Sequence, residues 1–223
     1  MPSANKDYFA RAISLLSLLI AIAAIGIPYY EQEKQHKENL GIIFNPHIAV
    51  GDIILTNYNF GDLGRVIQIP WELTISNSGH NKLSVVEYRL SIGNKMDSVF
   101  FSGLDGGIKN RDWQIEKMPI TLDGGESKTF AIYIGVQTPK EVYNILKLNS
   151  QQNGRISYKR AVKELARKGY DFYGNKVLFI EHENDSYELI VKNEHPKSPV
   201  MWVELLTGRG NKFYATGSRY SRM

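Results

Sequence analysis

The sequence predicts a mainly β protein in which an N-terminal single transmembrane helix precedes an antiparallel β-sandwich with a two-helix insertion. Three observations support this fold class. Residues 12–30 contain no charged side chain. Several later segments alternate apolar and polar residues with the period of two that is typical of half-buried strands. Between two groups of such segments, residues at about 138–169 follow helical spacing instead.

These patterns divide the chain into consecutive segments. A short tail (1–11) leads into the expected transmembrane helix (12–30) and a polar stalk (31–40). The β-sandwich domain is expected over residues 41–207, with the helical insertion inside it. A basic C-terminal tail, expected to be mobile at its end, covers residues 208–223.

The apolar segment is close in length to a membrane span. As a helix it reaches roughly 28 Å, near the ~30 Å hydrocarbon thickness of a bilayer. A buried core helix is an alternative, although such helices are rarely apolar over so long a stretch. A cleaved signal peptide is the stronger alternative, because Ala21-Ile22-Ala23 has the small-x-small spacing of a cleavage site. We favour an uncleaved anchor because the apolar residues continue beyond Ala23.

The charges flanking this helix are nearly balanced. Lys6 and Arg11 precede it, and Lys34 and Lys37 follow it. The N-terminal tail is short, and long C-terminal domains translocate largely regardless of charge. We therefore expect a cell-membrane protein with a cytoplasmic N-terminus, an extracytoplasmic domain and the lipid bilayer as a partner.

Small residues line one face of the predicted helix at heptad spacing. They are Ala10, Ser14, Ser17, Ala21 and Ala24. Because small residues let helix backbones approach closely, the stripe predicts a packing face for a protein partner or a second copy of the chain. The alternative is a chance alignment, since Ala and Ser are common in membrane spans.

Composition excludes several classes of function. The chain has no cysteine, which excludes disulfides, thiolate metal sites and cysteine nucleophiles. A hydrophobic content of 43% excludes a mainly disordered chain. The formal net charge is only +4, which argues against nucleic acid as the main partner of the whole domain.

The clearest strand pattern covers Ile67 to Ser76. Its predicted inward face is Ile67, Ile69, Trp71, Leu73 and Ile75. Pro70 cannot donate a ladder hydrogen bond, which predicts an edge strand or a bulge there. Two further inward faces are predicted: Val86, Tyr88, Leu90 and Ile92, and then Phe130, Ile132, Ile134 and Val136. Ile48 to Leu55 is the expected first strand.

Two Asp-Gly-Gly triplets, at residues 105–107 and 123–125, are interpreted as turns that need a positive φ. The second belongs to a pair of motifs, the stretch from Leu73 to Gly79 (LTISNSG) and the stretch from Ile120 to Phe130 (ITLDGGESKTF). Together they resemble bacterial immunoglobulin-like sandwiches of the CARDB type, over roughly residues 67–136. In those domains a strand ends at an Asn-x-Gly turn, and a later Pro-Gly-Glu turn leads into another inward-facing strand. The resemblance implies an immunoglobulin-like fold with interaction roles.

Two helices are expected after the third inward face. Thr138 is a candidate capping residue before Pro139, and the first helix runs to about Leu148 with Val142, Ile145, Leu146 and Leu148 apolar. The second runs from about Ser157 to Lys168, and Gly169 is its expected stop. Three strands follow: Val177 to His182, Tyr187 to Lys192 and Val200 to Leu206, the first two forming a hairpin.

No catalytic, cofactor-binding or metal-binding motif is evident. None of the histidines has the spacing of a helical metal site, and no phosphate loop, dinucleotide fingerprint or nucleophile elbow is found. Because these motifs are missing, we predict no enzyme and no cofactor. Carboxylates from different strands could still meet in space, so a membrane-bound hydrolase with a site of dispersed residues is the competing hypothesis.

Two groups of cations are candidate contacts for an anion or a partner. Lys159, Arg160, Lys163 and Arg167 lie on one side of the second helix, and Arg209, Lys212, Arg219 and Arg222 follow the last acidic residue. The ordinary alternative for the helix is a solvated face. An extracytoplasmic location would make nucleic acid an improbable partner for either group.

The leading interpretation is a membrane-anchored immunoglobulin-like binding or scaffolding module, an accessory subunit of a membrane complex. The alternative is a cytoplasm-facing, membrane-tethered domain that binds nucleic acid or anionic lipid through its basic helix and tail.

Overall fold

The computed structural model describes residues 14–27, 30, 37–46, 51–93, 105–182, 186–193 and 197–219. The strands are β1 (Leu40–Asn45), β2 (Asp52–Asn59), β3 (Arg65–Asn77), β4 (Leu83–Ile92), β5 (Ile108–Lys109), β6 (Ile120–Leu122), β7 (Ser127–Thr138), β8 (Arg155–Ser157), β9 (Val177–Glu181), β10 (Tyr187–Val191), β11 (Met201–Thr207) and β12 (Lys212–Gly217). The helices are α1, whose described part is residues 14–27, α2 (Lys140–Asn149) and α3 (Tyr158–Arg167). A 3₁₀ turn covers Gly61–Leu63.

The strands form three antiparallel sheets: two larger sheets that share one apolar core, and the two-stranded sheet of β9 and β10. The first sheet has the order β5-β7-β3-β2-β8, with β1 also paired to β3, and the second has the order β12-β11-β4-β6. Trp71 and Ile67 from the first sheet belong to the same buried cluster as Leu90 and Val203 from the second. The mainly β class predicted from the sequence is therefore correct.

Strand β3 has the alternation that the sequence predicts. Ile67, Ile69, Trp71, Leu73 and Ile75 are all at most 1% exposed. Burying each such side chain contributes about 1.5–3 kcal/mol to folding. The predicted inward face of β7 is also buried, and Tyr133 on its opposite face is covered as well. β3 and β7 are therefore the central strands of the core.

Pro70 lies in an interior strand, so the predicted edge or bulge is wrong. β3 pairs with β7 on one side and on the other side first with β2, up to Gln68, and then with β1, from Glu72 onward. The Ser78 N–H donates to the β1 side, and amide directions alternate along a strand. The nitrogen of Pro70 therefore faces the gap between β2 and β1, where no ladder bond is required.

A bulge changes the predicted face of β4. Pairing between β4 and β11 shifts in register after Leu206, so Val85 rather than Val86 is opposite Thr207. Val85 is 1% exposed and Val86 is 39% exposed. The prediction that Val86 faces inward is therefore wrong, because an extra residue in one strand reverses the faces beyond it.

The two motifs of the suspected family resemblance meet at one end of the sandwich. The Asn77 Nδ2 atom donates to the carbonyl oxygens of Asn81, Leu122 and Asp123 at 2.8–3.3 Å, and Asn77 Oδ1 accepts from the Gly79 N–H. The Asp123 N–H donates to the Glu126 carboxylate at 2.7 Å. Asn77 is 1% exposed, so its amide closes this end of the core.

Both helices of the predicted insertion are present, with strand β8 between them. Thr138 does not cap α2, because its hydroxyl donates to the Phe172 carbonyl oxygen at 2.6 Å. Val142 and Leu146 are fully buried, but Leu148 is 87% exposed, since it lies about 160° around the helix from Leu146. Gly169 has a φ of 80° and ends α3 as predicted.

The predicted transmembrane helix is wrong. Within the described part of the chain, no helix is long and apolar enough to cross a membrane. The single-pass and cell-membrane assignments made from the sequence are contradicted with it.

Both ends of the domain differ from the sequence expectation. Strand β1 begins at Leu40 and precedes the expected first strand, Ile48 to Leu55, whose residues 48–50 lie outside the described part. The segment expected to be a basic tail contains strand β12, which pairs with β11 from Lys212 to Gly217. Strand β12 is an edge strand whose side chains alternate between exposed and partly buried positions. Phe213 and Ala215 on its partly buried face pack against the core.

Candidate functional site

An apolar pocket of about 80 Å³ lies between α3, the loop after it and the β9–β10 hairpin. Helix α3 contributes Tyr158, Val162 and Leu165, and the loop contributes Tyr170, Phe172 and Tyr173. The helical residues lie at spacings of four and three, so they share one face of α3. The rings of Tyr158 and Phe172 contact each other with centroids 5.6 Å apart.

The wall opposite α3 comes from the hairpin. Leu189 and Val191 of β10 and Val177 of β9 line the pocket. At the edge of this wall, Glu181 of β9 forms ion pairs with Lys163 and with Arg167, the latter at 3.3 Å. These two cations hold the pKa of Glu181 below its ordinary value. The ion pairs connect the outer side of α3 to the hairpin.

A tight turn shapes the loop at the pocket. The Asp171 carboxylate accepts hydrogen bonds from the backbone N–H groups of Tyr173 and Asn175 and from the Asn175 side chain, at 2.7–2.9 Å. Asn175 is fully buried, and its amide exchanges hydrogen bonds of 2.6 and 2.8 Å with the backbone of Lys197. The Asp171 carboxylate is therefore engaged by the protein's own donors.

The same hydrogen-bond network reaches the cation of the pocket. Ser198 follows Lys197, and its hydroxyl accepts the Arg219 backbone N–H at 3.0 Å. Arg219 lines the pocket, and no ion pair joins its guanidinium to a carboxylate among the described residues. A positive charge thus borders an apolar pocket without a described acidic partner.

The Tyr158 hydroxyl at this pocket is uncharged. Tyr158 is 7% exposed, and burial raises the pKa of its hydroxyl to about 12, while the positive charge of Arg219 acts in the opposite direction. Tyr158 therefore stays neutral at physiological pH. The pocket combines aromatic walls, a neutral phenol and a guanidinium, which suits binding of an apolar group that carries a negative charge.

The cations predicted on α3 do not form one free surface. Lys163 and Arg167 pair with Glu181, and Arg167 also lies 3.8 Å from Glu164. Lys159 and Arg160 are exposed on the first turn. Two of the four predicted residues therefore form no ion pair within the described part of the chain.

The C-terminal cations are dispersed. Arg209 lies 3.8 Å from the Glu38 carboxylate at the Asn77 end, and Lys212 pairs with Glu204 at 3.2 Å. Arg219 is at the pocket, and Arg222 lies outside the described residues. These residues do not come together as the basic cluster that the sequence suggested.

The predicted helix-packing face is partly described. Ser14, Ser17, Ala21 and Ala24 belong to α1 and are exposed, while Ala10 lies outside the described residues. No group of three or more His, Asp or Glu side chains suited to a metal occurs within the described ranges.

Sequence reasoning missed the pocket because its walls come from three separated parts of the chain: residues 158–177, residues 189–191 and Arg219. One local signal was available: three aromatic residues and an aspartate lie between Gly169 and Gly174. Such a density of aromatic side chains in a short loop indicates either a packed corner or a binding surface.

No protein-family model matches this chain, and a search of curated proteins finds no significant match.

Proposed function

We propose that this protein is a non-catalytic assembly module, in which α1 packs against the α1 helix of a second copy and the β-sandwich supplies a binding surface. The observation that carries the proposal is the exposure of α1. Its large apolar side chains are between 58% and 74% exposed: Leu15, Leu16, Leu18, Leu19, Ile20, Ile22, Ile25 and Ile27.

An apolar helix with this exposure is incomplete on its own. Helices that are apolar on every side occur where other groups cover them, and large exposed apolar patches mark interaction sites. In contrast, the sandwich buries the apolar faces of β3 and β7 almost completely. Within the described chain, α1 therefore carries the densest group of exposed large apolar side chains.

A second copy fits one face of this helix and would also cover Leu18 and Ile25, which lie beside that face. Ser14, Ser17, Ala21 and Ala24 lie on one exposed face of α1 at heptad spacing. Two identical faces of small residues can approach closely around a two-fold axis, where each copy presents the same patch to the other. The absence of charge within residues 14–27 means that two such helices meet without electrostatic repulsion.

Cross-linking tests the pairing directly, because the chain contains no cysteine. In the purified full chain, Ser17→Cys places one thiol on the small-residue face. Leu19→Cys places the matched control thiol on the opposite face, about 160° away. Under mild oxidation we expect Ser17→Cys to form a disulfide-linked dimer severalfold faster than Leu19→Cys. Equal rates, or no dimer from either variant, would contradict the proposal.

Substitution tests the same face in the absence of oxidant. Ser17→Leu with Ala21→Leu separates the two backbones and should lower the dimer fraction measured by sedimentation. Leu15→Ile with Leu19→Ile, which nearly conserves volume on the opposite face, is the control. An unchanged dimer fraction in the first variant contradicts close packing through the small residues.

Anion binding through the cations is a second candidate with weaker support. Its best observation is that Lys159 and Arg160 are exposed on α3. Lys163, Arg167, Arg209 and Lys212 already face carboxylates, which lowers the positive potential available to nucleic acid. An affinity for DNA that falls steeply with salt would favour this candidate.

The interaction role also agrees with the suspected resemblance to CARDB-type domains. That resemblance rests on the stretches from Leu73 to Gly79 and from Ile120 to Phe130, and we propose an immunoglobulin-like sandwich on that basis. The support is local: the Asn-x-Gly turn and the Asp-Gly-Gly-Glu turn are joined by the Asn77 amide.

A further inference from the structure

We propose that the pocket beside α3 binds the C-terminal residue of a polypeptide, with an apolar final side chain between α3 and the hairpin and its terminal carboxylate on Arg219. This inference does not depend on α1, since the pocket is formed by α3, the following loop, the hairpin and Arg219, two residues after β12.

The volume limits the occupant. By comparison, an enclosed apolar cavity of about 150 Å³ binds benzene, and typical pockets for small-molecule ligands have about 300–1,000 Å³. The observed volume is about 80 Å³. This space accepts one branched aliphatic side chain, such as that of leucine or valine, while the rest of a longer ligand stays outside.

The positive charge of Arg219 favours a ligand in which a carboxylate is attached close to that side chain. Arg219 is the cation that lines the pocket, and a guanidinium binds a carboxylate through two parallel hydrogen bonds. Its backbone is held by Ser198 at 3.0 Å, and Lys197 is in turn held by the buried Asn175. The base of the cation is thus fixed relative to the apolar walls.

The hydrogen bonds of Asp171, the acidic residue that lines the pocket, explain why a chain terminus fits better than a free amino acid. A free amino acid would need an acceptor for its ammonium group. The Asp171 carboxylate already accepts three N–H donors from its own turn. A C-terminal residue has an amide in place of the ammonium group, so it presents a carboxylate and an apolar side chain without a second charge.

Titration of the hexapeptide acetyl-Gly-Ser-Gly-Ser-Gly-Leu into the isotope-labelled full chain tests the proposal. The matched probe is the same peptide with a C-terminal amide, and free leucine is the third probe. We expect saturable NMR shifts at α3 and β10 with the free-acid peptide, and about tenfold weaker binding of the amide. Free leucine should also bind at least tenfold more weakly.

Two variants assign the contacts. Arg219→Gln should weaken the free-acid peptide about tenfold and leave the affinity for the amide unchanged, because only the charge-assisted contact is removed. Arg209→Gln makes the same change beside Glu38 at the Asn77 end and should have no effect. Both residues are exposed, so neither variant should alter the fold, which the NMR spectrum itself checks.

The outcomes separate the alternatives. Equal affinity for acid and amide peptides, or no saturable binding of the acid peptide, overturns the carboxylate assignment. Free leucine binding as tightly as the peptide overturns the chain terminus as the source. Either result can occur with α1 dimerisation intact, so a failure here is distinguishable from a failure of the assembly proposal.

Discussion

Asn77 and Asn175 are both buried and both join separate segments through their side-chain amides, but the cavities beside them differ in volume. Asn77 binds three backbone carbonyls and one N–H, and the gap beside it has a volume of only about 10 Å³. Asn175 binds Asp171 and Lys197, beside a pocket of about 80 Å³. The same side-chain chemistry therefore closes the core at one place and borders a binding surface at the other.

The difference follows from what each amide joins. Asn77 connects turns that end or begin central strands, so side chains of both sheets pack up to it. Asn175 connects a loop after α3 to the segment before β11, and the hairpin beside them forms a separate two-stranded sheet. A mutation at Asn77 should therefore change only the stability of the protein, whereas a mutation at Asn175 should change both stability and binding at the pocket.

The largest effect is expected from Asn77→Ala. This variant leaves buried carbonyl groups and the Gly79 N–H without their partner, which should lower the free energy of unfolding by about 3 kcal/mol or more. Urea denaturation measures it. Asn45→Ala, which removes one exposed hydrogen bond to Glu72, is the control and should cost less than about 1 kcal/mol. Equal costs would show that Asn77 does not close the core.

A smaller loss of stability is expected from Asn175→Ala, with a second effect that Asn77→Ala lacks. Removing this amide frees Lys197 and the Asp171 turn, at a cost of about 2 kcal/mol. Arg219 should then lose its fixed position, so the acid peptide should bind severalfold more weakly to the folded fraction. An Asn77→Ala protein that loses the same affinity would contradict the distinction between the two ends.

Gly124→Ala tests how tightly the Asn77 end is packed. A Cβ at this position would lie 2.4 Å from the carbonyl oxygen of His80, and the resulting shift should cost about 1–2 kcal/mol in urea denaturation. Gly208→Ala is the matched control, because its Cβ would meet neighbours only at 3.8 Å or more. A Gly124→Ala protein as stable as the control would indicate a looser end than the structure has.

The smallest effect concerns the ion pairs between α3 and the hairpin. Because Lys163 and Arg167 lower the pKa of Glu181, their stabilisation is present above the ordinary glutamate pKa of about 4.3. It is lost as the pH falls through the lower pKa of the folded state. The stability difference between the natural chain and Glu181→Gln should therefore disappear in acid. A difference that grows as the pH falls would reverse the assigned sign.

The sequence predicted the elements whose side chains alternate or repeat strongly. The alternation from Ile67 to Ile75 marked β3, and the apolar positions of α3 with Gly169 marked that helix. These predictions succeeded because local burial and helix termination leave a signal within a few residues. The mainly β class followed from the same signal.

The remaining features depend on partners far away in the chain. The exposure of Val86 depends on a register shift opposite Leu206, and the position of Pro70 depends on where β1 ends and β2 begins. The pocket combines α3, the hairpin and Arg219. The membrane span failed for another reason: apolar composition at residues 12–30 indicated a length that the described helix does not have.

The position of β11 has a consequence for synthesis of the protein. This strand pairs with β4, more than a hundred positions earlier, and it separates β4 from β12 in the second sheet. During translation, β3 and β7 can pair while the last strands are still inside the ribosome. Their apolar face is then opposed only by β4 and β6 of the second sheet, so it stays partly uncovered and open to aggregation until β11 and β12 have been made.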